Sequence, residues 1–130
     1  MEASSYESRV NVLVVDDNEL MREVLTSLLS KRGHQCESAS NGKEALKKAV
    51  QRRFDVVVTD LEMPEMDGLT LIGELNRCDF KIPVMVMTGR PEEDYRDRAM
   101  RSGASDYLRK PFDLSEFMTR FCNLLLAHRS

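Results

Sequence analysis

Hydrophobic residues follow two alternating patterns along the whole chain. Short runs rich in β-branched residues, such as VNVLVV at residues 10–15 and FDVVVT at residues 54–59, predict strands buried on both faces. Between such runs, apolar residues recur at helical spacing. The first of these helical stripes ends before Gly33 and contains Leu20, Met21, Val24, Leu25, Leu28 and Leu29. The pattern predicts a protein built from alternating strands and helices.

Of the remaining three strands, the second is weak, the fourth is another buried strand and the fifth is short. They are predicted at residues 35–40, 82–87 and 106–109. Because single helices separate successive strands, the strands should pair in parallel through right-handed crossovers. The expected fold class is α/β, with a (βα)5 chain forming a doubly wound, five-stranded parallel sheet between two layers of helices.

Two of the later helices are predicted to begin with a capping box, at residues 41–44 and 113–116. Another helix follows Gly68, and the helix at residues 92–102 has few apolar anchors. The residues predicted to face the sheet are Ala45, Leu46, Ala49 and Val50; Leu69, Ile72 and Leu75; Tyr95, Ala99 and Met100; and Leu114, Phe117, Met118, Phe121, Leu124 and Leu125.

Composition narrows the class of protein. The chain has 130 residues, 42% of them hydrophobic and 32% charged, which suits one domain with its own core. A net charge of −3 argues against nucleic-acid binding by bulk charge. No signal peptide or membrane span is predicted, so a cytoplasmic location is expected. Three cysteines without a C-x-x-C pair fit neither a disulfide framework nor a zinc site.

Polar residues with chemical potential follow the predicted strands directly. Asp16 and Asp17 follow the first strand, Asp60 the third and Thr88 the fourth, while Lys110 closes the fifth. In an open parallel sheet the carboxyl ends of the strands meet at one edge, where ligands bind. Taken singly, Asp17 suits a helix cap and Lys110 a solvated turn. Their coincidence at one edge favours a site.

The chemistry of such a site follows from its charges. Three carboxylates packed together repel one another unless a cation neutralises them, and Mg²⁺ is held by carboxylates, waters and phosphate oxygens. A lysine adds a point charge that can hold a phosphoryl oxygen. A carboxylate can itself be the nucleophile that forms an acyl phosphate. The set predicts phosphoryl transfer assisted by a divalent cation.

Four motifs make the chain resemble the receiver domains of bacterial two-component response regulators, typified by the chemotaxis regulator. They are VLVVDDN at residues 12–18, TDLEMPEMDG at 59–68, MTG at 87–89 and YLRKPF at 107–112. They occur in the order and spacing of that family. The resemblance implies a flavodoxin-like sheet with strand order 2-1-3-4-5. It also implies a receiver domain at residues 9–130, after an N-terminal extension at residues 1–8.

The resemblance implies a phosphoacceptor and a metal site. Asp60 would accept phosphate from the phosphohistidine of a partner kinase. Mg²⁺ would be held by Asp60, by Asp17 directly, by Asp16 through a water molecule and by the backbone carbonyl of Glu62.

Further roles are implied around this centre. Lys110 and Thr88 would bind the phosphoryl group, and the peptide bond from Lys110 to Pro111 would be cis. Thr88 and Tyr107 would form the switch pair, with Tyr107 rotating as the Thr88 hydroxyl moves toward the phosphoryl oxygen. The weakly anchored helix at residues 92–102 fits an element that moves.

Two variable positions are expected to tune dephosphorylation. Glu62 and Arg90 lie two residues beyond Asp60 and Thr88, and the resemblance implies that these positions flank the path of an attacking water. The two side chains could pair with each other, or they could obstruct that water. The sequence leaves both arrangements open.

The function implied is a phosphorylation-switched signalling module, not an enzyme beyond its own phosphorylation and dephosphorylation. Its partners would be a sensor histidine kinase or histidine phosphotransfer protein, and a downstream protein or appended output domain. The partner would bind the face of the fourth helix, fifth strand and fifth helix, and a phosphorylation-dependent homodimer is a further possibility. The alternatives are a phosphatase of similar architecture with an aspartyl-phosphate intermediate, or the receiver fragment of a larger transcription regulator.

Overall fold

The computed structural model describes residues 9–63, 66–77, 82–89 and 93–128, with the backbone alone at residues 93–95. Within these ranges five strands form one parallel sheet in the order β2-β1-β3-β4-β5, which confirms the predicted fold class and strand order. The strands are β1 (Asn11–Val15), β2 (Gln35–Ala39), β3 (Val56–Asp60), β4 (Val84–Thr88) and β5 (Asp106–Arg109). The extension predicted at residues 1–8 lies outside the described residues.

Five helices connect and cover the strands. They are α1 (Glu19–Lys31), α2 (Gly42–Gln51), α3 (Gly68–Arg77), α4 (Glu93–Ser102) and α5 (Leu114–Ala127). Over the described parts of the chain, every helix is too short or too polar to cross a lipid bilayer.

Alternate residues of the central strands pack into two separate cores. On one face, Val12 and Val14 of β1 contact the layer that contains α1 and α5, including Leu25 and Phe117. On the other face, residues such as Leu13 pack with α2, α3 and α4. Both faces of β3 and β4 are therefore covered, which explains why their sequences are continuous apolar runs.

Two strands extend further than the sequence pattern predicts. Asp60 is the last residue of β3 and Thr88 the last residue of β4, whereas both were expected just beyond their strands. The reason is continued backbone pairing: the Leu61 N–H donates to the Met87 carbonyl at 2.9 Å, and the Lys110 N–H donates to the Thr88 carbonyl at 2.7 Å. Both side chains therefore stand on rigid strand ends rather than on loops.

One predicted capping box forms in part and the other does not form. Asn41 accepts from the Glu44 N–H at 2.8 Å, but the Glu44 carboxylate accepts from the N–H of Ser40, at 2.8 Å, and thus from the residue before the N-cap. Asp113 caps α5 by position, but its side chain makes no capping hydrogen bond, so the second capping box was predicted wrongly.

Four residues predicted to be buried are exposed. The exposed fraction is 68% for Leu20, 56% for Val50, 42% for Met100 and 42% for Leu114. Leu20 and Leu114 lie in the first turns of α1 and α5, while Val50 and Met100 lie near the ends of α2 and α4. Helical periodicity gives the buried face of a helix but not where the covering sheet ends.

Because Met100 is exposed, α4 is only weakly anchored to the sheet. Ala99 is its fully buried apolar residue among those whose side chains are described. The side chain of Tyr95, another predicted anchor, lies outside the described residues. Weak packing of this kind suits an element that shifts position.

Candidate functional site

The carboxyl edge of the sheet brings the three predicted aspartates together. Carboxylate oxygens of Asp16, Asp17 and Asp60 all lie within 4.8 Å of one another. Asp16 and Asp60 are buried, whereas Asp17 is exposed. Strands β1 and β3 are neighbours at the centre of the sheet, where the strand order reverses. The aspartates therefore lie at the position where doubly wound sheets bind ligands.

This oxygen cluster is suited to a hard divalent cation. Mg²⁺ bonds oxygen at about 2.0–2.1 Å, so two ligands of one ion stand at most about 4.2 Å apart. The carboxylates, within 4.8 Å of one another, need only a small adjustment to reach that separation. The exposed Asp17 gives the cluster an open side toward solvent.

Lys110, the residue after β5, reaches this cluster across β4. Its Nζ lies 3.0 Å from Oδ2 of Asp16 and 3.4 Å from Oδ2 of Asp60. The peptide bond that follows it, to Pro111, is cis. Burial by itself lowers the pKa of the Lys110 ammonium, but the carboxylates of Asp60 and Asp16 outweigh that effect and raise it. The ammonium is therefore charged at neutral pH.

The electrostatics of Asp60 differ from those of an ordinary carboxyl. Burial raises the pKa of Asp60 from 3.8 to about 6; Lys110 opposes this rise, and the charges of Asp16 and Glu62 add to it. At pH 7 the carboxylate is mostly ionised, and it is buried among like charges. A cation or another positive group is therefore bound more strongly there than at an exposed carboxylate.

A further residue, Arg22, supports the site and was missed in the sequence. Its Nη1 donates to the backbone carbonyl of Asp16 at 2.7 Å, while the Asn18 N–H donates to Oδ1 of Asp16 at 2.9 Å. Arg22 lies four residues after the N-cap Asn18, and side chains in a helix lean toward its N-terminus. A long basic side chain one turn into α1 was the available signal.

Thr88 and Glu62 are in direct contact. Thr88 is fully buried, and its hydroxyl donates a hydrogen bond to Oε2 of Glu62. The backbone N–H of Glu62 also points to Oδ1 of Asp60, at 3.4 Å. Arg90, the other expected tuning residue, lies outside the described residues.

Two glycines allow close backbone contacts at Met66 and Gly68, beyond Glu62 in the chain. A Cβ on Gly68 would lie 2.5 Å from the carbonyl oxygen of Asp60, and a Cβ on Gly42 would lie 2.2 Å from that of Met66. The Gly42 N–H donates to the Met66 carbonyl at 3.1 Å. Met66 is thereby packed against the start of α2, and Gly68 against the end of β3.

Tyr107 lies on the same face of the sheet as Thr88. In the register of β4 and β5, Tyr107 is opposite Val86, two residues before Thr88. Its half-buried ring packs against the core that includes Ala99 of α4. Tyr107 is thus positioned between the strand end that carries Thr88 and the weakly anchored helix.

A parallel sheet of this order, with carboxylates and a lysine at its carboxyl edge, defines a flavodoxin-like receiver fold. The family model for the response regulator receiver domain matches residues 12–121. The chain therefore belongs to the receiver domains of two-component response regulators, which are signalling modules.

Relatives of known sequence agree with this assignment. The chain is 40% identical over 116 residues to response regulator MprA of Mycolicibacterium vanbaalenii, covering 89% of this chain and 50% of that protein. It is 38% identical to MprA of Mycobacterium leprae, covering 89% of this chain and 51% of that protein. The chain spans about half the length of these relatives.

Solved structures show the same fold. The receiver domain of Francisella response regulator 1452 has a TM-score of 0.87 at 29% identity and covers 93% of this chain and 100% of that one. Chemotaxis response regulator CheY4 of Vibrio cholerae has a TM-score of 0.85 at 28% identity and covers 89% of this chain and 98% of that one. TrrA of Thermotoga maritima, solved in complex with Mg²⁺-BeF, has a TM-score of 0.79 at 32% identity and covers 88% of this chain and 97% of that one.

Proposed function

We propose that Asp60 accepts a phosphoryl group from the phosphohistidine of a sensor histidine kinase or histidine phosphotransfer protein. The observation that carries this proposal is the position of the Asp60 carboxylate, beside Asp16 and Asp17 and 3.4 Å from the Lys110 ammonium. A carboxylate oxygen of Asp60 forms a bond to phosphorus as the phosphorus–nitrogen bond of the donor breaks. The electron pair leaves with the imidazole, which takes a proton from solvent, and an acyl phosphate remains.

The surrounding residues hold the charges of this reaction. Bound Mg²⁺ would neutralise the carboxylates and the phosphoryl oxygens, held by Asp60, Asp17 and the Glu62 carbonyl, and by Asp16 through water. The Mg²⁺-BeF complex of TrrA supports this assignment by similarity. Lys110 would turn from the carboxylates toward a phosphoryl oxygen, and the Thr88 hydroxyl would bind another. Glu62 and Arg90 would tune the access of water to the product.

The change would be transmitted through Thr88 and Tyr107. Movement of the Thr88 hydroxyl toward the phosphoryl group would open space that Tyr107 fills, which would alter how α4 packs on the sheet. The face formed by α4, β5 and α5 would then bind a downstream protein, an appended output domain or a second copy of the chain. A receiver domain at residues 9–130 acting in the cytoplasm, without direct contact to nucleic acid or membrane, completes the proposal.

The phosphatase alternative is not favoured. Phosphatases of similar architecture generally carry D-x-D after the first strand, whereas Asp16 and Asp17 are adjacent and the candidate acceptor Asp60 is the last residue of β3. The family match also argues for the receiver. Since the curated relatives are about twice as long as the matched region, an output domain joined to this receiver remains part of the proposal.

Labelling with acetyl phosphate tests the proposed acceptor. We expect intact mass to show one added phosphate when Mg²⁺ is present and none in EDTA. Asp60→Asn should take up none, whereas Asp113→Asn, at an exposed aspartate whose side chain makes no capping bond, should be labelled like the wild type. Label that persists in Asp60→Asn would show that another residue is the acceptor.

A further inference from the structure

We propose that the Glu62 side chain is a positioning residue that holds the Thr88 hydroxyl away from the phosphoryl position in the unphosphorylated protein. Glu62 would thereby set how readily the switch operates. This inference rests on the proposed function, because it assigns Thr88 to the phosphoryl group formed on Asp60. It gives the Glu62 carboxylate a role that is separate from its backbone carbonyl and from access of water.

The contact joins two parts of the site whose backbones are fixed. The Leu61 N–H donates to the Met87 carbonyl at 2.9 Å, which ties the start of the Glu62 loop to the end of β4. The Thr88 carbonyl accepts from the Lys110 N–H at 2.7 Å, which ties the same strand end to β5. With both backbones held, rotation of the Thr88 or the Glu62 side chain is the movement that releases the hydroxyl from the carboxylate.

A hydroxyl has one proton, so it makes one strong donated hydrogen bond at a time. In the unphosphorylated protein that bond goes to the Glu62 carboxylate, and a bond to an ionised acceptor is stronger than a neutral one. A phosphoryl oxygen on Asp60 would have to take the same proton. Glu62 and the phosphoryl group therefore compete for Thr88.

Phosphorylation would also weaken the competitor. A phosphoryl group adds about −1.5 to −2 charges. The Glu62 charge is already close enough to Asp60 to raise the pKa of that carboxyl, so it would be repelled by the new charge. Phosphorylation of Asp60 thus supplies a phosphoryl oxygen that can accept from Thr88 and at the same time repels the Glu62 carboxylate. Because the Thr88 hydroxyl can bond either the Glu62 carboxylate or the phosphoryl oxygen, but not both, the site has two alternative states.

A double-mutant cycle separates the hydrogen bond from the charge. The affinity for beryllofluoride with Mg²⁺ is measured for wild type, Glu62→Ala, Thr88→Val and the double variant. We expect Glu62→Ala to tighten binding roughly tenfold in the wild-type background, the factor given by about 1.4 kcal/mol. In the Thr88→Val background there is no hydroxyl to release and only the loss of the Glu62 charge remains, so the same substitution should tighten binding by a clearly smaller factor.

An equal factor in both backgrounds would overturn the inference, because Glu62 would then act through its charge alone. Glu62→Leu, which also has no acceptor for the Thr88 hydroxyl, replaces Glu62→Ala in the same cycle if the alanine variant does not fold. Glu23→Gln removes one negative charge from the exposed face of α1 and should leave binding unchanged. An effect of Glu23→Gln as large as that of Glu62→Ala would also contradict the inference.

A second measurement needs neither phosphate nor metal, so it stands even if Asp60 accepts no phosphate. Three-bond NMR couplings report the χ1 rotamer of Thr88 in the unphosphorylated protein. We expect one rotamer in the wild type and averaging among rotamers in Glu62→Ala and Glu62→Leu, which both lack an acceptor for the Thr88 hydroxyl. A single, unchanged rotamer in the variants would overturn the role of Glu62, whereas failure of Asp60 labelling alone would overturn the proposed function.

Discussion

The ammonium of Lys110 lies closer to Asp16, at 3.0 Å, than to Asp60, at 3.4 Å. Asp16 is fully buried, so Lys110 supplies a neighbouring positive charge that water cannot replace there. A cation bound among the aspartates would take over part of this neutralisation. Lys110 would then be free to turn toward a phosphoryl group.

Mg²⁺ should stabilise the folded protein because it relieves repulsion among Asp16, Asp17 and Asp60. Binding to the native state alone adds roughly 2.7 kcal/mol to the free energy of unfolding at 100 times the dissociation constant. Thermal unfolding in EDTA and in increasing millimolar Mg²⁺ measures this gain. A melting temperature that does not change with Mg²⁺ would contradict the metal assignment.

Asp17→Ala should act in opposite directions with and without the metal. In EDTA the variant should unfold at a higher temperature than the wild type, because one of three clustered negative charges is gone. Adding Mg²⁺ should raise the melting temperature of the variant little or not at all, since a direct ligand is missing. Melting temperatures of both proteins in EDTA and in Mg²⁺ check these two expectations. If Mg²⁺ raises the melting temperature of the variant as much as that of the wild type, Asp17 is not a ligand.

The raised pKa of Asp60 predicts a pH dependence of stability in metal-free buffer. The folded pKa is about 6 and the ordinary value 3.8, so the folded state holds this proton more tightly than the unfolded state. The contribution of Asp60 to stability is therefore fully present below about pH 4 and is lost as the pH rises through 6, a loss of order 2–3 kcal/mol.

Comparison with Asp60→Asn isolates this effect. The Asn variant does not titrate, whereas other groups, including His34 with its lowered pKa, are common to both proteins. We expect urea unfolding in EDTA at pH 4, 5, 6 and 7 to show that the free energy of unfolding of the variant rises relative to that of the wild type between pH 4 and 6. This difference should not increase further above pH 7. A difference that is constant with pH would contradict the raised pKa.

Gly68→Ala should destabilise the protein, because the added Cβ would lie 2.5 Å from the carbonyl oxygen of Asp60. Overpacking of this kind typically costs about 1–3 kcal/mol. Gly73→Ala in the same helix is the matched control: its Cβ meets no atom within 4 Å, so removing a helical glycine should stabilise α3 by roughly 0.5–1 kcal/mol. Denaturant unfolding of both variants in EDTA checks the prediction, and equal effects would contradict the close packing at Gly68.

Local sequence signals were sufficient for the fold and for the aspartate cluster. Runs such as VVVT in β3 identify a strand wherever they occur, and the topology of a parallel sheet brings all strand ends to one edge. Asp16, Asp60 and Lys110 therefore converge whatever the details of the loops.

Features that depend on loop paths or on the limits of the sheet were not predictable in this way. The contact of Glu62 with Thr88 joins residues 26 positions apart through the course of one loop. The exposure of Leu20 and Leu114 reflects where the sheet ends relative to the first helical turns. The missing cap bond of Asp113 is a choice of side-chain rotamer, which the motif does not fix.

Amide hydrogen exchange with and without beryllofluoride and Mg²⁺ tests most directly whether phosphorylation of Asp60 is transmitted through the domain. We predict that exchange changes far more at residues 88–110, which include α4 and β5, than in α1 and α2. Thr88→Ala should still bind beryllofluoride but lose most of the change, because the residue that couples the site to Tyr107 is absent. Changes in the wild type confined to Asp16, Asp17, Asp60 and their immediate neighbours would instead show a phosphate carrier without a conformational switch.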